Sequence, residues 1–193
     1  MPEFILNDKP EAEQTESAFT FGFIEALFFT ETSQVYDSAE WLTSDCQEAQ
    51  EEGQAGGTLP NDVGYNDLHP DSLARIRAFC KAFQRDNAEL LSEAYARDGY
   101  SEEQAGRDLW FTSQGHGVGF WSRTELEDNS PEYEELTATM RAASNSGDNE
   151  SWDKAFRERS QLTSESIGEK LSNAARYKEA HTWFDGTHVH VEI

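Results

Sequence analysis

The chain has 193 residues and a formal net charge of −23, from 15 Lys and Arg against 38 Asp and Glu. A soluble domain needs only about 2 to 8 net charges, so the excess calls for a partner, an unusual solvent or flexible acidic tails. The same balance disfavours nucleic-acid binding, since no basic stripe exists to neutralise phosphates, and an anionic membrane would repel the chain.

The length suits a single domain over 1–193, and 12 Phe, 5 Trp and 6 Tyr supply a real core. Residues 1–16 are polar and acidic and read as a loosely held N-terminus; the first ten lack the basic region and cleavage site of a secretory signal. Residues 18–30 read as a short helix with Phe19, Phe23, Ala26 and Leu27 along one side, although a buried strand gives a similar pattern. Residues 33–66 read as a long acidic loop, with at most one short helix near 39–49. The strongest periodicity runs over 70–97, where Leu73, Ile76, Cys80, Phe83, Leu90 and Ala94 fall three, four or seven positions apart, on one helical face. Pro70 suits a first helical turn and Asp71 the positive end of the dipole, so a single amphipathic helix of about seven turns is expected. Ser101 and Gln104 form a capping-box pattern that starts a short helix toward Asp108.

Two aromatic runs, 109–112 and 118–121, flank the Gly-rich SQGHG turn and read as a β-hairpin. Residues 124–162 read as an acidic insertion with one or two marginal helices. A last helix is expected over 164–178, and 181–184 and 187–191 make a second hairpin around Asp185-Gly186. The expected fold is therefore α+β: a small antiparallel sheet from two hairpins, packed on a long amphipathic helix with two or three shorter ones.

Residues 1–71 hold sixteen acids and one base, Lys9; residues 124–150 hold eight acids and Arg141. A chain of this mass exposes about 9,000 Å², so charge spread evenly is roughly one unit per 400 Å². Duplex DNA carries about one per 110 Å². Confining the acids to half the surface gives about one per 210 Å², within a factor of two of the duplex, so their geometry decides whether they mimic DNA.

Candidate chemistry is sparse. The loop Gly115-His116-Gly117-Val118-Gly119 lacks the flanking strand, helix and Lys of a phosphate-binding loop, so its glycines read as turn residues. In the C-terminal hairpin a two-residue turn pairs Trp183 with His188 and His181 with His190. His181, His188 and His190 would then share a face, a geometry that can hold zinc, although a solvated or partner-facing histidine face is the simpler reading. Cys46 and Cys80 form no CxxC pair and read as reduced cytoplasmic thiols. No Ser-His-Asp order, nucleophile elbow or HExxH occurs, and no cofactor is expected.

The segment FTSQGHGVGFWSR at 111–123 resembles a family of small acidic bacteriophage and prophage proteins marked by a GHGxGFWxR hairpin. The early FGFIEALFF helix, the spacing of Cys80 and Phe83, the string YSEEQAG, a late GEKL helix and a closing DG hairpin are similar too. The chain departs from that family in longer acidic segments around 33–62 and 124–162. The resemblance implies a phage context, hence the host cytoplasm, and supports both hairpins; it supplies no mechanism.

These readings converge on a non-enzymatic acidic interaction protein, a DNA mimic that fills the basic groove of a host defence (restriction or CRISPR-like) or regulatory protein. The expected partner-binding carboxylates are Glu40, Asp45, Glu48, Glu51, Glu52, Glu125, Glu127, Asp128, Glu132, Glu134 and Glu135, with Trp41 and Trp152 as anchors. A small metal-dependent enzyme using the three histidines, and a phage accessory protein made acidic by a saline host, are the alternatives.

Overall fold

A computed structural model describes residues 6–32, 59–60, 62–127, 130–176 and 178–193. Among the described residues are eight α-helices and one two-stranded antiparallel sheet, a helix-dominated α+β architecture. The segment expected to be loosely held carries α1 (Lys9–Thr15), whose Ala12 is fully buried. Next comes α2 (Ala18–Glu31), opened by Ser17, whose hydroxyl accepts the Thr20 N–H. Every residue from Phe19 to Phe28 is buried, so α2 runs through the interior rather than across its surface.

Its main partner is α5 (Glu102–Ser113), capped as the sequence indicates by the Ser101 hydroxyl on Gln104 N–H. The two backbones meet at a glycine on each helix: a Cβ on Gly22 would collide with the Glu103 carbonyl, and one on Gly106 with that of Phe19. Glycine is there because the close approach leaves no room for a side chain. Around this crossing Phe23 meets Trp110 edge-on at 5.3 Å, and the indole N–H donates to Thr30 Oγ1 at 2.7 Å.

The first expected hairpin does not form. Residues 109–112 continue α5, which is buried on all sides toward its C-terminal end, so the apolar run there has no helical period to display. After α5 the chain turns back through Gly115 to Gly119, and residues 118–121 enter a 3₁₀ turn (Phe120–Ser122) rather than a strand. Gly119 has φ 154°, and its N–H donates to Ser122 Oγ at 3.0 Å. Phe120 N–H donates to Thr112 Oγ1, and the ring stacks on Phe83 at 5.8 Å. Most of the GHGVGFW string therefore serves to fold a loop back onto the end of α5.

The long helix expected over 70–97 is two helices, α3 (Pro70–Asp86) and α4 (Ala88–Tyr95). They part at Asn87, whose side-chain amide donates to the Phe83 carbonyl at 2.9 Å alongside its own backbone N–H. That competition between side chain and ladder is the usual reason Asn interrupts a helix. Ile76, Cys80, Phe83, Leu91 and Ala94 still form the buried stripe, and burial pushes the Cys80 thiol pKa up, as expected of an inert core cysteine.

The acidic insertion contains α6 (Pro131–Ser146) and α7 (Asn149–Ser164), an antiparallel helical pair reversed at Gly147 (φ 72°). Only Ala143 and Ala155 are buried on these two helices. The last helix, α8 (Ile167–Ala175), packs beside the Phe120 turn.

The sheet consists of β1 (His181–Phe184) and β2 (Val189–Glu192). It packs on α3 with Val189 and Val191 inward, as expected for the core face. The outer edge of β2 is occupied: His69 N–H donates to the Val189 carbonyl, Arg75 to the Val191 carbonyl, and Ser72 Oγ accepts the Val191 N–H. The expected two-residue turn is a four-residue one. Asp185 Oδ1 accepts the N–H groups of Thr187 and His188, both at 2.8 Å, which draws both residues into the loop. The register moves by two, pairing Trp183 with His190 and His181 with Glu192.

Candidate functional site

Charge is arranged differently inside and outside the fold. Glu25 is fully buried in the most apolar helix, yet it holds Lys9 at 3.0 Å and Arg107 at 2.5 Å. Asp108, also fully buried, accepts from Tyr100 OH at 2.9 Å, Gln104 Nε2 at 3.0 Å and Arg123 Nε at 2.8 Å. Burial pushes the Asp108 pKa up while Arg123 pulls it back. Glu16 accepts from Arg77 and from Tyr65 OH. Carboxylates buried this deeply require such partners. Lys9, Arg77, Arg107 and Arg123 are thus engaged by internal acids, in a chain with only 15 Lys and Arg.

The carboxylates expected to face a partner are only partly gathered. Glu40, Asp45, Glu48, Glu51, Glu52, Asp128 and Trp41 lie outside the described residues, as does Cys46. Glu125 lies within a 3₁₀ turn, Thr124–Leu126, and Glu127, just after it, lines a small cleft with Tyr133 and Glu169. Glu132, Glu134 and Glu135 are exposed on the first turns of α6, where their charge also complements the helix dipole. Glu132 and Glu135 join Glu158 of α7 in a groove of about 410 Å³ that Lys154, Leu136 and Ala155 also line. At about 100° per residue, Glu134 points away from that groove.

Trp152 lies on α7 and stacks on Phe156 at 5.0 Å with the rings nearly parallel. Phe156 is 45% exposed. At about 100° per residue the pair lies roughly 145° around α7 from the groove residues Ser151, Lys154 and Glu158, so it sits on the face of α7 that points away from the groove.

The histidines are redistributed by the register change. His190 stacks between Trp183 at 4.9 Å and His69 at 4.8 Å, His188 meets His69 edge-on at 5.5 Å, and His181 lies against Trp183. His190 Nε2 also contacts Asp185 Oδ2 at 2.7 Å. Hydrogen bonds from His188 N–H, the His190 ring and Thr187 N–H hold the Asp185 carboxyl well below its usual range. His69 escaped the sequence reading because it comes from the cap of α3, where its Nδ1 accepts the Asp71 N–H at 3.2 Å. Among the described residues no group of three or more His, Cys, Asp or Glu is placed to hold a metal ion. Nor is any helix among them long and apolar enough to cross a membrane.

Comparison of the chain with protein-family models, with curated proteins and with solved structures gave no match.

Proposed function

We propose that this chain is a non-enzymatic acidic interaction protein that competes with duplex DNA for a basic protein groove. The target is a host defence (restriction or CRISPR-like) or regulatory protein, in the phage setting that the GHGVGFW string implies. The observation that carries this reading is the inward engagement of the bases. Lys9, Arg77, Arg107 and Arg123 serve buried carboxylates, while Glu132, Glu134 and Glu135 stand exposed on α6. With four of the 15 Lys and Arg engaged by internal acids and a net charge of −23, the exterior is left anionic, which attracts a basic partner and speeds encounter with it. Trp152 and Phe156 provide the apolar contact that charge alone lacks.

The test is direct. A protein captured from bacterial lysate on the immobilised chain is loaded with a fluorescent duplex, and displacement of that duplex is followed by anisotropy. Displacement is expected near 50 mM salt and is expected to fade by about 300 mM, as screening shortens the reach of exposed charges. Single Glu-to-Gln changes at 132, 134 or 135 should weaken competition by no more than about threefold, and the triple change by about tenfold. A ternary complex of chain, captured protein and duplex would overturn the reading, and so would binding indifferent to salt.

A further inference from the structure

The Gly-rich loop that reads as a hairpin tip instead walls a cleft of about 380 Å³, within the roughly 300–1,000 Å³ of small-molecule sites. The end of α5 forms one wall, and Ser172 and Arg176, at the end of α8, form the other. Two polar atoms in this lining lack partners among the described residues. Ser172 is only 1% exposed, and its Oγ makes no hydrogen bond. His116 Nε2 is also buried and unpartnered, although the residue is well positioned: its N–H donates to the Phe111 carbonyl at 2.9 Å and its ring meets the Phe111 ring edge-on at 5.8 Å. A buried polar group without a partner is costly, and a ligand that supplies one relieves the cost.

Two further side chains give the occupant its character. Arg176 has a half-exposed side chain and meets Glu169 only at 3.8 Å, beyond hydrogen-bond range, which leaves its guanidinium fork available to an oxyanion. Trp121 is 50% exposed in the same lining and offers a flat face for stacking. Glu179 also lines the cleft, on a segment clamped by Gln114, which accepts the Ala180 N–H and donates to the Lys178 carbonyl, both at 2.8 Å. Its carboxylate, beside a net charge of −23, selects against polyanions. A single anionic group at Arg176 competes with the loose Glu169 contact at 3.8 Å, while the more distant acids, beyond about 8 Å, are largely screened at physiological salt. Burial lowers the His116 pKa and keeps the imidazole neutral, able to donate or accept one hydrogen bond at Nε2.

We propose that this cleft binds a small organic anion with a planar ring, the anionic group held by Arg176, Ser172 Oγ and His116 Nε2 and the ring lying against Trp121. A nucleoside monophosphate and an aromatic carboxylate share that chemistry. Calorimetric titration of the full chain with adenosine monophosphate, 4-hydroxybenzoate and inorganic phosphate separates them. One ring-bearing anion should bind with a Kd below about 1 mM and more tightly than phosphate. A preference for the nucleotide assigns the phosphate source, and the reverse assigns the carboxylate. Arg176→Gln should weaken binding about tenfold or more, and Trp121→Ser should erase the advantage over phosphate. Both residues are substantially exposed, and an unchanged melting temperature checks that each variant folds. The proposal fails if no probe binds at about 5 mM, a concentration that would reveal even a weak site. It fails equally if phosphate binds as well as the ring-bearing anions, or if binding is unaffected by both substitutions.

Discussion

Replacing Arg123 with alanine is expected to destabilise the protein by about 3–5 kcal/mol at neutral pH, the usual range when one member of a buried ion pair is removed. Asp108 has no exposed surface, and among the described residues Arg123 is the cationic partner in its network with Tyr100 and Gln104. Without the guanidinium, two neutral donors remain for a carboxylate sealed from water. The pH dependence follows from the direction of the Asp108 shift. Burial raises its pKa above the ordinary 3.8 even with Arg123 present, so this group favours folding most below that value and less as pH rises through it. Removing Arg123 takes away the largest opposing influence and raises the pKa further. The variant should therefore regain stability as the pH is lowered from about 7.5 toward 5, where Asp108 can take up a proton. Urea unfolding at both pH values measures this. Adding Asp108→Asn to Arg123→Ala should recover part of the loss at neutral pH, because the uncompensated charge is gone. A deficit below about 1 kcal/mol, the level of an exposed pair, or one with no pH dependence, would show that Asp108 does not rely on Arg123.

The same interior shows what the sequence could and could not convey. α3 was legible because one face is wet: Ile76, Cys80 and Phe83 alternate with charges, and Pro70 and Asp71 mark the start. The Ser101 cap was legible for a similar local reason. α2 and the second half of α5 are covered on every side, so their apolar runs carry no 3.6-residue signal, and the 109–112 run imitates a strand. The break at Asn87 depends on a side-chain hydrogen bond that periodicity does not encode. In the C-terminal hairpin the strands were visible but their register was not, because the Asp185 carboxylate overrode the favoured Asp-Gly turn. An even shift kept Trp183 and His190 on the same face, yet it moved His188 into the loop, beside the unforeseen His69. Charge density along the chain proved an incomplete guide to charge density in space. Glu134 and Glu135 are adjacent in sequence, but helix geometry sends only Glu135 into the groove with Glu132, and Glu158 arrives there from α7.

Gly106→Ala should be the most damaging single-methyl change in the described fold. On an ordinary exposed helix position, alanine is better than glycine by about 0.5–1 kcal/mol, since glycine loses more backbone entropy on folding. Here the sign reverses. A Cβ at Gly106 would overlap the Phe19 carbonyl oxygen and press on its carbon at 2.8 Å and on the Phe23 nitrogen at 2.9 Å. These are backbone atoms of a fully buried helix, and they cannot rotate aside as a flexible side chain can. Relief requires α2 and α5 to separate, which opens the packing around Phe23 and Trp110. Overpacking a tight core costs about 1–3 kcal/mol, and occasionally more. With backbone on both sides of the contact, a loss of about 3 kcal/mol is expected, lowering Tm by roughly 6–12 °C for a chain of this size. Gly22→Ala approaches the same crossing from the other helix and should cost a similar amount. Because both substitutions act by forcing the same pair of helices apart, the double variant should lose less than the sum of the two. Gly117→Ala is the matched control, because its Cβ would meet nothing within 4 Å; its effect should stay within about 0.5 kcal/mol. Thermal unfolding of the four variants decides the matter: a Gly106→Ala protein as stable as the Gly117→Ala control would mean that α2 and α5 do not cross in backbone contact.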